Sequence, residues 1–127
     1  MTRHLSTLTA VLFLAAAQPA VAQDQPPFAP DLLRFSEILG AVSYLDTLCG
    51  APESGAWRRQ MQALLDAQEM SPDDRRKYVD VYNRGHRTFA TVHRNCTDQT
   101  RSVLRGYMAE GEAIATRLEQ RFGRAPG

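Results

Sequence analysis

One stretch of this chain gathers most of the residue types that chemistry uses. It reads NRGHRTFATVHRNCT, Asn83 to Thr97, and holds two of the three histidines, three arginines and one of two cysteines. Two kinds of site draw on such residues. A metal centre would use the imidazoles of His86 and His93 and the thiolate of Cys96. An anion site would use Asn83, Arg84 and Arg87, whose planar guanidiniums match carboxylate or phosphate oxygens, with His86 and His93 beside them. Spacing weighs against the metal. Seven residues put His86 and His93 about 10.5 Å apart along a helix axis, too far for both rings to reach one ion easily. The helical pair four apart, as in H-E-x-x-H, is absent. His93 and Cys96 are close enough to share an ion, but a sulfur committed to a disulfide is no ligand. No metal and no cofactor is therefore expected.

Other catalytic patterns are missing. There is no G-x-S-x-G, no glycine-rich phosphate loop and no C-x-x-C, so no catalytic residue is assigned. Four carboxylates, Glu37, Asp46, Glu110 and Glu112, could in principle meet in a cleft. Glu37 stands out because it lies within an apolar stripe, where burial would raise its pKa. Its ordinary alternative is an edge carboxylate paired with an arginine.

The elements that must position these residues are helices. Phe35, Ile38, Val42, Leu45 and Cys49 recur at steps of three and four, and Leu33, Ala41, Tyr44 and Leu48 form a second stripe. A helix over about Asp31–Leu48 that is apolar on two sides is either central in a bundle or shared with a partner. A second helix is expected over Ala56–Glu69, with Ser54 as a cap and Trp57 as a core plug. Ser71-Pro72-Asp73-Asp74 is a strong start for a third, over Pro72–Arg94. Its dry arc would hold Tyr78, Tyr82, Gly85, Phe89, Val92, His93 and Cys96. Its wet arc would hold Arg76, Lys77, Asp80, Arg84, Arg87 and Arg94, with Asp80 pairing Arg76 and Arg84. The opening stretch is thus one amphipathic helix read along its sequence. Thr97 caps a fourth helix, Asp98–Phe122, with Leu104, Tyr107, Met108, Gly111, Ile114, Ala115, Leu118 and Phe122 on its core arc. Gly85, Gly106 and Gly111 each cost about 1 kcal/mol in a helix, which close helix–helix approach would offset. The sequon at Asn95 reads as a chance match.

The N-terminus sets the compartment. Arg3 and His4 precede the apolar run Leu8–Ala17, and Ala20-Val21-Ala22 follows, which predicts a secretory signal over 1–22 cleaved before Gln23. The apolar run is shorter than the ~20 residues a membrane span needs. Residues 23–30, QDQPPFAP, read as a flexible arm, 31–123 as one helical domain and 124–127 as a tail. Loss of Arg3 leaves 14 basic and 14 acidic side chains, a balance that disfavours nucleic acid as a partner. Two cysteines in an exported chain predict one disulfide, Cys49–Cys96, of up to about 4 kcal/mol in the chain-entropy view.

The steps LDTLCG, then Trp57-Arg58, then Asn83, Arg84, Gly85, Arg87, Phe89, Cys96 and Thr97 resemble a family of small exported alphaproteobacterial proteins classed as a domain of unknown function. The resemblance spans about residues 35–122. Its two separated cysteines imply the same disulfide. Its aromatic residues at the positions of His86 and His93 imply packing roles for both. It implies a periplasmic location and supplies no catalytic residue.

The expected fold is all-α: four mostly antiparallel helices stapled by one disulfide. The expected function is that of a non-enzymatic periplasmic interaction or structural protein, using the second stripe of the first helix or the basic face of the third. Its partner would be another periplasmic protein or a second copy. Two alternatives stand beside it: an anion or small-ligand binder on the Arg84/Arg87 face, and an enzyme centred on Glu37.

Overall fold

The computed structural model of the chain describes residues 26–50 and 54–122. The expected signal, the start of the arm and the tail lie outside them. The described residues form four helices and no strand: α1 Ala29–Leu48, α2 Ser54–Asp66, α3 Pro72–Val92 and α4 Asp98–Phe122. α1 starts two residues before Asp31, because Pro30 is tolerated in a first helical turn. Ala29, expected in the arm, is 4% exposed. Ser54 is the first residue of α2 instead of its cap, and α2 ends at Asp66, short of Glu69. α3 ends two residues early, since His93 turns to extended backbone at φ −105° and ψ 108°. The other stop and start signals act as expected. Ser71 Oγ accepts from Asp74 N–H at 3.1 Å, and Thr97 Oγ1 accepts from Thr100 N–H at 3.1 Å. Gly50 follows α1 at φ +81°, a conformation that suits glycine.

α1 is the axle of the molecule. α2, α3 and α4 each pack along it, while their backbones barely approach one another. Its Ile38, Ala41, Val42 and Leu45 are at most 2% exposed. The two apolar stripes of α1 are thus explained by a central position, and α3, not a partner, covers the second one. Paired positions give the directions. Glu37 meets Arg84 and Tyr44 meets His93, so α1 and α3 run parallel. Asp31 meets Arg117 and Arg34 meets Glu110, so α4 runs antiparallel. Asp46 meets Trp57, near the start of α2, and Leu32 clusters with Leu65 near its end, which is antiparallel again.

Two glycines set how closely α1 and α3 cross. A Cβ on Gly40 would lie 1.9 Å from the Tyr82 carbonyl oxygen, and one on Gly85 would lie 2.2 Å from that of Glu37. Backbone meets backbone at this crossing, so neither position has room for a side chain. Gly111 lets α4 approach less tightly, its virtual Cβ standing 3.2 Å from Ile38 Cγ2; Gly106 faces open space and serves no close approach. The parallel ends of α1 and α3 are stapled by Cys49–Cys96, with S–S 2.00 Å and Cα–Cα 5.0 Å, across 47 positions of sequence. Among the described residues, no helix is long and apolar enough to cross a membrane.

Candidate interaction groove

Three helices around one leave three seams, and their side chains treat them differently. The seam between α2 and α3 is closed by interlocking apolar groups: Leu32 and Leu39 of α1, Met61 and Leu65 of α2, Tyr78 and Tyr82 of α3. Ser36 and Ser43 are buried on α1 and return their hydroxyls to its own carbonyls, Leu32 at 2.9 Å and Gly40 at 2.8 Å. Among the described residues no buried side-chain nitrogen or oxygen lacks a hydrogen-bond partner.

The seam between α3 and α4 is closed by charge and aromatic rings. Arg34 grips Glu110 with two bonds, 2.7 and 2.9 Å, and reaches Glu37 at 3.0 Å. Arg84 Nε meets the other oxygen of Glu37 at 3.4 Å. The Arg34 guanidinium also lies 5.4 Å from the centroid of Tyr107, whose edge meets Phe89 at 4.9 Å. The hydrogen bonds that Arg34 donates to Glu110 hold the Arg34 proton more firmly than usual and keep the Glu110 carboxyl below its ordinary range.

The seam between α2 and α4 is open. A groove of about 280 Å³ runs along it, lined by apolar side chains almost throughout. Phe35, Ile38 and Val42 of α1 form the floor, Trp57 of α2 one wall, Met108 and Ala115 of α4 the other. The Trp57 indole N–H donates to Asp46 at 2.7 Å, which fixes the ring against the groove. Met108 is 43% exposed, which for a large apolar side chain calls for an explanation. A second hollow of about 240 Å³ lies where the first turn of α1 meets the start of α3, walled by Phe28, Leu33, Met70 and Tyr78 and rimmed by Glu69, Asp74 and Lys77.

The residues singled out in the sequence do not form one cluster. Asn83, Arg84 and Arg87 are exposed on α3, and Arg84 is turned toward Glu37. His86 is half-buried with its ring edge-on to Tyr44 at 5.3 Å. Burial, and then the nearby Arg58 and Arg87, push its pKa down. His93 stacks on Phe89 at 5.8 Å, accepts the Tyr44 hydroxyl at its carbonyl, and places Nδ1 3.3 Å from the Thr100 hydroxyl. Both rings are packing groups at the stapled end. None of these five residues lines either hollow. Among the described residues, no three histidine, cysteine or acidic groups are placed to hold a metal ion.

The four carboxylates also part company. Glu37 and Glu110 share Arg34, Asp46 holds Trp57, and Glu112, beside the groove, makes no ion pair among the described residues. Glu37 is the paired edge carboxylate, with 27% of its side chain exposed between two arginines. Asp80 pairs neither neighbour, because Arg76 turns to Asp73 and Arg84 to Glu37. Val92, placed on the dry arc, is 71% exposed, because α3 ends there and leaves the surface of α1. Trp57 packs against both apolar clusters, as expected of a core plug, and also walls the groove, whereas Met108, placed on the core arc, is exposed there.

No curated protein and no solved structure matches the chain. A family model does, over residues 27–122, which takes in all four helices and both cysteines. The chain belongs to the family described as protein of unknown function (DUF2385).

Proposed function

We propose that this is an exported, non-enzymatic interaction protein of the periplasm, whose working surface is the groove between α2 and α4. The observation that carries the reading is the contrast between seams. Two are filled, one by apolar interdigitation and one by a bidentate ion pair with aromatic support, while the third keeps an apolar floor under an exposed methionine. A stapled frame with an apolar hollow walled by Trp57 and an exposed Met108 suits docking, in which a few buried apolar contacts supply most of the affinity. The signal-like N-terminus and the disulfide both support export. The anion-binding alternative rests on Arg87, since Arg84 is committed to Glu37.

The test compares two surface variants in the native host. After spheroplasting, the wild-type protein is expected in the released fraction, lacking residues 1–22 and free of reactive thiols. Met108→Asp is expected to fold normally but lose the protein that co-isolates with wild type, while Arg87→Glu keeps it. Loss with Arg87→Glu and retention with Met108→Asp would transfer the function to the arginine face.

A further inference from the structure

Charge is unevenly shared along the bundle. Residues 40–60 and 83–106, which flank the Cys49–Cys96 staple, hold seven arginines and three carboxylates, a net +4. The rest of residues 26–122 holds six basic and ten acidic side chains, a net −4. A nearly neutral chain thus folds into a molecule whose two ends differ in sign. Pairing sharpens the contrast. Away from the staple, five of the six cations hold a carboxylate: Arg34, Arg75, Arg76, Lys77 and Arg117. Near the staple, Arg58, Arg59, Arg87, Arg94 and Arg105 are exposed and make no ion pair among the described residues.

These arginines come from α2, α3 and α4 and gather toward one end. Arg58 and Arg59 lie four and five residues after the start of α2, and Arg87 lies five before the end of α3. Each is therefore within about 8 Å of a helix end along its axis. Arg94 lies just past the end of α3. Arg58 and Arg87, from different helices, are near enough to act together on His86. Val92, the last residue of α3, stands at the same end and is 71% exposed. None of the five arginines lines either hollow, so they present a surface and not a pocket.

A second copy of this chain answers that surface poorly. Six of the ten carboxylates on its opposite half are held by their own cations, and end-to-tail stacking does not close. An acidic protein segment answers the charge alone. A bilayer rich in anionic lipid answers both features, with phosphates for the arginines and an apolar layer directly beneath them for the valine.

We infer that the stapled end is a membrane contact, which sets the bundle end-on upon an anionic phospholipid surface with Arg58, Arg59, Arg87 and Arg94 on the phosphates and Val92 at the acyl boundary. Each arginine strengthens such binding about fivefold. The sum is comparable to one myristoyl chain, ~10⁴ M⁻¹, which is marginal and reversible. Salt weakens it further, so the protein still leaves with the released fraction after spheroplasting.

The test is sedimentation of the purified mature protein with vesicles of phosphatidylcholine, alone or mixed with phosphatidylglycerol. At low salt, binding is expected to the mixed vesicles only, and high salt should abolish it. Arg94→Gln should weaken binding about fivefold. Arg94→Glu should weaken it more, whereas Arg121→Glu, the same change of net charge at the opposite end, should leave it unaltered. Val92→Trp should bind more tightly, and its emission should shift to the blue with vesicles. Met108→Asp should bind as wild type does, which separates this contact from the groove. Equal losses with Arg94→Glu and Arg121→Glu would reduce the effect to net charge and overturn the end-on contact. No binding to mixed vesicles at low salt would overturn it outright. Binding to a polyglutamate peptide but not to vesicles would assign the arginines to an acidic protein instead.

Discussion

Glycine shows what single residues decide in this molecule. Gly85 and Gly40 look like any mid-helix glycine in the sequence, yet each stands where a methyl group would collide with backbone oxygen. Backbone cannot swing aside as a side chain can, so Gly85→Ala should cost about 3 kcal/mol or more, the upper end of overpacking. Gly106 has nothing within 4 Å of its virtual Cβ, so Gly106→Ala should gain about 0.5–1 kcal/mol from helix propensity alone. Urea unfolding of the two variants checks both signs at once. Only part of this was legible. Gly85 lies on the dry arc, which points to its close approach; Gly106 shares the helical setting but not the contact. Gly40 carries no local signal, because its collision partner lies 42 positions away.

His86 gives the second prediction at this scale. Burial, Arg58 and Arg87 favour its neutral form, so its folded pKa is depressed. As pH falls the unfolded chain takes the proton first, near pH 6.5. The stability linked to this group is therefore complete above that value and is lost as pH falls through the depressed one. Thermal melting should decline between pH 7 and pH 5. His86→Phe, which keeps an aromatic edge toward Tyr44, should flatten the decline; an identical slope in both proteins would remove His86 as its source.

At the scale of elements, the helices were largely readable and their neighbours were not. Ser71, Thr97 and Gly50 act within one turn of themselves, so local chemistry exposed them. Periodicity showed that α1 is apolar on two sides but could not say what covers each. It could not distinguish Ile114, 2% exposed, from Met108, 43% exposed, because both lie on one arc of α4 and only one meets another helix. One tie between α1 and α4 is the bridge from Arg34 to Glu110, 76 positions away, which Arg34 shares with Glu37. All three side chains are partly solvated, so the bridge is worth little per pair. Arg34→Met should cost about 1 kcal/mol at low salt, and less as salt rises. The depressed pKa of Glu110, caused by Arg34, adds a sign that can be checked. Its contribution exists at neutral pH and disappears as pH falls through the lowered value. Wild type should thus lose more stability in acid than Arg34→Met, measured by urea midpoints at pH 7 and pH 3.

For the whole molecule, the staple and the open seam are parts of one design. The disulfide holds the parallel ends of α1 and α3 and closes a long loop of the unfolded chain. Replacing Cys49 and Cys96 by serine should cost about 2–4 kcal/mol. A domain of this size is stable by only ~5–15 kcal/mol, so the variant should melt well below wild type yet keep its helical content by circular dichroism. A frame held in this way can leave a groove uncovered without collapsing into it. Even cysteine count and the N-terminal pattern made the staple visible in the sequence. The groove was not visible, because it forms where Trp57 of α2 and Met108 of α4 stand apart above α1, and sequence records residues, not gaps. The arginine-rich stretch that first suggested a site proves to be the outer surface and stapled end of α3.

The most direct test of the groove is photo-crosslinking in living cells from a benzoylphenylalanine placed in turn at positions 108, 115 and 87. Positions 108 and 115 should each give a covalent adduct of the same size, and position 87 should give none. An adduct at position 87 with none at 108 and 115 would contradict the groove and place recognition on the outer face of α3.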